Sequence, residues 1–168
     1  MKASRKISEQ PMSKPVYAEL SRFAQRTQLE LAFDAKGQSA KAIVDWVDSI
    51  VFRWQKTGKP PPKKFVSLED LPSLLGFTWG EQIVVSCGWR WVSLTFHEHD
   101  DWQGFAIVSR DRSRMIMPFA FIHQCINENV DVTIAASLAA LQSDVLPEFP
   151  PKSYSDIMRG LMRIVPRV

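Results

Sequence analysis

The sequence is poor in the side chains that most catalytic and metal sites require. It contains only three histidines and two cysteines among 168 residues. Cys87 and Cys125 lie far apart and no C-x-x-C pair occurs, so the zinc-knuckle, thioredoxin-like and deaminase signatures are absent. Both cysteines are therefore predicted to be free thiols in a reducing compartment, packed as small apolar residues. A single disulfide between them is the alternative.

The sequence also lacks an uncharged apolar run of about 18 residues, which a membrane-spanning helix requires. The first segment, "MKASRKISEQPMSK", is polar and has none of the apolar core of a signal peptide. We therefore expect a cytoplasmic protein that has no membrane partner.

A concentrated basic face is missing as well. The net charge of +3 and the isoelectric point near 9.0 make the chain only mildly basic. The densest basic stretches, "KTGKPPPKK" and "SRDRSR", contain no aromatic residues on which nucleic-acid bases could stack. A nucleic-acid partner is therefore not expected. A nucleic-acid-binding accessory protein that uses Lys59, Lys63 and Lys64 is kept as an alternative.

Apolar residues, in contrast, are plentiful. They make up 45% of the chain and include six tryptophans and ten phenylalanines, enough for a hydrophobic core. The length and the patterning predict one α+β domain: a small antiparallel β-meander of about three or more strands packed against several helices, with an N-terminal helical pair. The expected order is a flexible arm (1–13), a helical hairpin (14–57), a Pro/Lys linker (58–66) and a sheet-and-helix core (67–168).

The helical pair is predicted from apolar residues that recur every three or four positions. The first helix is expected from Pro15 to about Lys36, with Ser13 as its cap and Gly37 as its stop. The second is expected from about Ser39 to Lys56, with Asp48 among the polar residues that face water.

The remaining elements are predicted from the spacing of apolar residues and from helix-capping signals. A third helix carries an apolar residue at every fourth position, and Gly76 and Gly80 flank that stripe, which favours a close approach of the helix to a sheet. Strands are predicted at 89–97, 103–110 and 113–118 because apolar and polar residues alternate there. Three further helices are expected. The first begins at Pro118, the second begins near Asp131, which would cap it, and the third begins after Ser153, which would form a capping box with Asp156.

The segment "LTFHEHDDW", residues 94–102, has the composition of a metal site. On an extended strand His97 and His99 would point to the same side, and Asp101 would complete a set of ligands for zinc. The third histidine, His123, lies on a different predicted element, however, and the chain must reverse between two strands at this point. We therefore predict a hairpin turn without a cofactor. A metal-dependent enzyme is kept as an alternative, and it predicts a stoichiometric metal that His97→Ala removes.

The same turn is the candidate site for binding a partner. It contains three carboxylates next to a tryptophan, a residue type that anchors protein interfaces: Glu98, Asp100, Asp101 and Trp102. The basic turn, residues 110–114, lies at the opposite end of the middle strand. This charge distribution is suited to orienting a charged protein partner. No catalytic residue is predicted.

Residues 75–126 resemble a bacterial protein family of unknown function. The family pattern is L-G-x-x-W-G-x-Q, then G-W-x-W, V-S-x-D-R-S and P-x-x-F-I, and it is matched here at 75–82, 88–91, 108–113 and 118–122. The matching glycines and tryptophans are typical of architectural positions, so the resemblance transfers no active-site residue.

The resemblance implies a function in bacterial competition. Similar proteins are encoded near secreted toxins, including effectors of type VI secretion systems, and some act as immunity proteins. The resulting expectation is a non-catalytic protein, free of cofactors, that neutralises a cognate toxin by direct binding. The oligomeric state is left open.

Overall fold

The computed structural model describes residues 6–62 and 66–164, with side chains up to Leu161. The predicted α+β fold is confirmed. The helices of the described residues are α1 (Lys14–Glu30), α2 (Ala40–Thr57), α3 (Leu71–Cys87), α4 (Pro118–Asn127), α5 (Ile134–Leu141) and α6 (Ile157–Ile164). The strands are β1 (Ile7–Pro11), β2 (Arg90–Phe96), β3 (Trp102–Val108), β4 (Arg114–Ile116) and β5 (Ser155–Asp156).

The five strands form one sheet in the order β1-β2-β3-β4-β5. All neighbours are antiparallel except β4 and β5, which are parallel. The predicted meander is therefore its centre, and a strand from each end of the chain completes it.

The flexible arm predicted for residues 1–13 is wrong for residues 7–11, which form β1. Their sequence, "ISEQP", contains a single large apolar residue and so gives a weak strand signal. The backbone groups along the edge of β2 need partners, and β1 supplies them in register from Ile7–Phe96 to Pro11–Val92. Residues 1–5 of the arm, and Lys63 and Lys64 of the linker, lie outside the described residues.

Helix α3 is the centre of the helical layer. Nine of its first ten residues are buried, and Leu71, Trp79 and Ile83 are completely buried. Helices α1, α2 and α4 all pack against it, so the two N-terminal helices make their main contacts with α3. The indole Nε1 of Trp79 donates a hydrogen bond of 3.0 Å to Ser137 Oγ on α5, which satisfies the one polar atom of that ring.

The sheet presents two different faces. On the first face, Trp91 stacks with Phe77 of α3 and Phe119 of α4, at centroid distances of 5.3 and 5.6 Å. Ile107 and Ile116 pack in the same cluster. The second face has a separate apolar cluster that contains no residue of a described helix: Val92, Leu94, Ala106, Val108 and Met115, with Ile7, Phe96, Met117 and Tyr154 around it.

The two glycines of α3 allow it to approach its neighbours closely. A Cβ at Gly80 would overlap the indole ring of Trp91, so the prediction of a close approach to the sheet is confirmed there. A Cβ at Gly76 would lie 2.8 Å from Phe119 Cδ1, so this glycine makes room for the start of α4. Any larger side chain would separate the helix from the sheet.

The predicted end of the first helix is wrong. Ser13 does cap α1, since its hydroxyl accepts from Val16 N at 3.4 Å, but the helix ends at Glu30 rather than near Lys36. Ala32, at φ +56°, has the left-handed conformation that ends a helix. Alanine is not a recognised signal for the end of a helix, so the sequence did not predict this end. Gly37, the predicted stop, lies in the loop that follows α1.

Two predicted caps, Asp131 and Ser153, and the predicted exposure of Asp48 are also wrong. Asp48 and Ser153 have partners distant in sequence. Asp48 is only 2% exposed, and its carboxylate accepts from Ala135 N at 2.8 Å, in the first turn of α5. This contact caps α5 in place of Asp131. At α6, Asp156 accepts from Met158 N at 3.0 Å, whereas Ser153 donates to Ser113 O.

Substitution of Gly80 by alanine tests the close approach of α3 to the sheet. We expect Gly80→Ala to lower the free energy of unfolding by roughly 1–3 kcal/mol, because the new methyl group displaces Trp91 from its packing. The measurement is urea unfolding followed by tryptophan fluorescence.

Gly160→Ala is the matched control, since no atom of the described residues lies within 4 Å of a Cβ at this position in α6. It should stabilise the protein by about 0.5–1 kcal/mol, as alanine favours a helix more than glycine does. Equal effects of the two substitutions would show that helix propensity, not packing, explains them.

Candidate functional site

The segment with two histidines is a hairpin turn, as predicted. The chain reverses between β2 and β3, with hydrogen bonds from His99 N to Phe96 O (3.1 Å) and from Trp102 N to His99 O (3.0 Å). Asp100 and Asp101 have φ values of +53° and +56°. Aspartate tolerates this left-handed region better than most residues, so the sequence is well suited to the turn.

The turn brings His97 and Asp101 of the candidate metal site together but directs His99 elsewhere. The His97 ring contacts Asp101 Oδ1 through Nδ1 (2.5 Å) and Ser8 Oγ through Nε2 (2.7 Å), so both of its nitrogens have partners. His99 instead lines a groove with Phe96 and Trp102. Strand β2 ends at Phe96, so the alternation that would align the two histidines no longer holds. No group of three or more His, Cys, Asp or Glu in the described ranges could hold a metal ion.

The acidic residues of the turn differ in their surroundings. Glu98 forms an exposed ion pair with Lys6 at 3.1 Å, and Asp101 contacts His97. Asp100 is exposed and forms no hydrogen bond or ion pair with any residue that the structure describes. Asp100 is therefore the carboxylate of this turn that is available to a partner.

Trp102 is the main apolar feature of the turn. Its side chain is 49% exposed, and its ring contacts Phe96 at a centroid distance of 5.6 Å. The ring also lies over Gly104, where a Cβ would approach Trp102 Cη2 to 2.6 Å. The absence of a side chain at Gly104 thus leaves room for the indole to lie against the second face of the sheet.

A polar triad covers the apolar cluster of the second face. Arg112 donates from Nε (3.0 Å) and Nη2 (2.7 Å) to the carboxylate of Glu9, and the Tyr154 hydroxyl donates to Glu9 Oε2 (2.7 Å). Glu9 pairs with Leu94 on the neighbouring strand, and Tyr154 packs on the same cluster. The triad therefore joins β1, the β3–β4 turn and the segment before β5 over this face.

Electrostatics within the triad favour the charged pair. The hydrogen bonds from Arg112 hold the pKa of Glu9 below its ordinary value of 4.5. Burial and the bond to Glu9 raise the pKa of Tyr154 to about 12, so its hydroxyl keeps its proton and donates.

The β3–β4 turn that carries Arg112 is itself fixed by Asp111. This carboxylate accepts from Ser113 N (3.0 Å), Ser113 Oγ (2.7 Å) and Ser109 Oγ (2.9 Å), which lowers the pKa of Asp111 to about 2. The serines and the aspartate of the "VSRDRS" stretch therefore have an architectural role: they hold the backbone that presents Arg110 and Arg112.

Two open clefts flank Tyr154 on this side of the molecule. One, of about 870 Å³, lies between β1, the β3–β4 turn and residues 152–154. The other, of about 650 Å³, is rich in aromatic and methionine side chains and includes Phe96, Trp102, Met115 and Met117. We call them the basic cleft and the Trp102 groove.

The cysteines have little thiolate character. Both Cys87 and Cys125 are free. Burial raises the pKa of Cys125 to about 12 and also raises that of Cys87. A thiolate is the nucleophilic form of cysteine, so these positions are poorly suited to nucleophilic catalysis.

Sequence reasoning identified the hairpin residues and the basic turn but missed Glu9 and Tyr154. These two residues are 145 positions apart in the sequence. Glu9 lies in the segment predicted to be a flexible arm, and Tyr154 lies at the start of the last predicted helix. The one available signal was the isolated Ile7, which marks β1 weakly.

Comparison of the chain with protein-family models, with curated proteins and with solved structures gave no match. None of the described helices is long and apolar enough to cross a membrane.

The acid dependence of stability tests the Glu9–Arg112 pair. The pKa of Glu9 is lowered by folding, so its contribution is complete above pH 4.5 and is lost as the pH falls through the lower, folded-state pKa. At pH 7, Glu9→Gln should cost on the order of 1–3 kcal/mol. This difference from the wild type should shrink as the pH is lowered, measured by urea unfolding at several pH values.

Glu98→Gln serves as the control, because its ion pair with Lys6 is exposed and contributes little. A difference between wild type and Glu9→Gln that stays constant down to strongly acidic pH would contradict the assigned pair.

Proposed function

We propose that this protein is a non-catalytic protein-binding protein that contacts its partner through the hairpin turn and the Trp102 groove. Its role is that of a cytoplasmic immunity protein, which neutralises a cognate secreted bacterial toxin by covering part of the toxin's surface. The half-exposed, rigidly backed Trp102 is the observation that carries this proposal.

Trp102 has the properties of an interface anchor. About half of a large aromatic side chain remains in water, at a cost that burial in a partner would remove. Phe96 and Gly104 fix the ring orientation before binding, so little side-chain entropy would be lost. Met115 and Met117 extend the apolar surface next to it, and methionine adapts to the shape of a partner.

The charges around Trp102 indicate the chemistry of the partner. Asp100 lies at the turn without a partner among the residues that the structure describes, and Glu98 forms an exposed pair with Lys6. The complementary surface is therefore basic and contains an apolar pocket for the indole. Such charges mainly accelerate and orient association, whereas the aromatic anchor provides most of the affinity.

Other features support binding rather than catalysis. The raised pKa values of Cys87 and Cys125 disfavour thiolates, and both ring nitrogens of His97 have partners in the turn. The toxin as partner comes from the family resemblance of residues 75–126, in which some members act as immunity proteins.

Co-expression with the product of the neighbouring gene tests this function. We expect a stable complex on affinity purification. Trp102→Ala should weaken it by about 2 kcal/mol or more, roughly 30-fold in Kd. Asp100→Asn retains the residue's tolerance of a left-handed backbone and should mainly slow association at low salt, measured by surface plasmon resonance.

Phe23→Ala is the matched control, since Phe23 is an exposed aromatic residue on α1, distant in sequence from the hairpin. It should leave the affinity unchanged. The proposal fails if no complex forms with the product of the adjacent gene, or if Phe23→Ala and Trp102→Ala weaken the complex equally.

A further inference from the structure

The basic cleft is lined by an unusual concentration of strained backbone. Seven non-glycine residues in the described part of the chain have positive φ values, and three of them line this cleft. These are Arg112 (φ +60°), Lys152 (φ +61°) and Tyr154 (φ +48°). Glycine adopts this conformation without strain, so a side chain at such a position needs a reason.

Two of the three side chains have a reason within the fold. Arg112 and Tyr154 both donate to Glu9, and glycine would lose these bonds. Lys152 differs, because its ammonium group is exposed and has no hydrogen bond or ion pair to any side chain that the structure describes. Its backbone N–H donates to Asp111 O at 3.0 Å, a bond that glycine would make equally well. The fold therefore does not account for the lysine.

Arg110 is a second exposed cation that lines the cleft, and it lies next to Asp111, whose carbonyl accepts from Lys152 N. The Arg110 carbonyl accepts from Arg112 Nη1 at 2.7 Å, which fixes its backbone, and its exposed guanidinium has no partner in the described ranges. The other two cations that line the cleft are paired, Arg112 with Glu9 and Lys6 with Glu98. Asp111 keeps its negative charge and accepts three hydrogen bonds within its own turn.

We propose that Arg110 and Lys152 bind the phosphate group of a small phosphorylated molecule in the basic cleft. A phosphate monoester carries a charge of about −1.5 to −2 at pH 7 and three acceptor oxygens, which match two cations, whereas a carboxylate carries a single charge. The cleft, of about 870 Å³, is much larger than a phosphate ion, so the organic part of the ligand lies against Ile7 and Tyr154. This site is independent of the proposed protein-binding function.

Calorimetric titration of the full chain with phenyl phosphate tests the site. Benzoate is titrated in the same way, as a ligand that carries a carboxylate in place of the phosphate. Phenyl phosphate should bind, inorganic phosphate should compete with it, and benzoate should bind much more weakly. The double variant Arg110→Ala/Lys152→Ala should lose at least about tenfold in affinity, since hydrogen bonds between charged groups are lost.

The matched double variant Arg53→Ala/Lys36→Ala removes the same charge from exposed positions that do not line the cleft, and it should bind phenyl phosphate like the wild type. Absence of binding, equal binding of benzoate, or equal losses in the two double variants would overturn the proposal.

Lys152→Gly separates a binding role from a structural one. Glycine adopts φ +61° freely, so the thermal midpoint should be unchanged or higher while phenyl phosphate binding falls about tenfold or more. A lower thermal midpoint with unchanged binding would show that the side chain supports the fold, and the proposal would then fail.

Discussion

The need to bury the apolar first ten residues of α3 on all sides determines the arrangement of the other elements. A helix with no polar stripe is stable in water only when every side is covered. Helices α1, α2, α4 and α5 and the first face of the sheet share this task, and Gly76 and Gly80 allow the closest approaches. The helices are thereby committed to one side of the sheet, so the apolar residues of the second face must be covered by other means.

Side chains from the sheet and its loops provide that cover. Leu94 is completely buried although its cluster contains no residue of a described helix, because Tyr154, Phe96 and neighbouring side chains shield it. The Glu9 carboxylate would be costly to remove from water alone, but Arg112 and Tyr154 supply its hydrogen bonds. A cover made of side chains leaves clefts at its margins, and the Trp102 groove and the basic cleft lie there.

The features that could be predicted from sequence are those encoded locally. Alternation with period 2 located β2, β3 and β4, and Pro118 marked the first residue of α4. The missed features depend on residues far apart: Asp48 caps α5 across 87 residues. At the candidate site the hairpin was predicted correctly, but the rule that aligned His97 with His99 failed because the strand ends at Phe96.

The charge separation expected between the two ends of β3 rests on fewer charged groups than the sequence suggests. Within the described ranges Glu98, His97, Glu9 and Arg112 are paired. Asp100 therefore remains unpaired at one end, and Arg110 and Lys152 remain at the other, beside the charged Asp111 carboxylate. The seven-residue strand between them spans roughly 20–25 Å, more than twice the screening length of about 8 Å at physiological ionic strength. The two ends therefore act as separate charged sites. Tyr154 lines both clefts, and its contacts with Glu9 and the apolar cluster are a structural link between them that does not depend on long-range electrostatics.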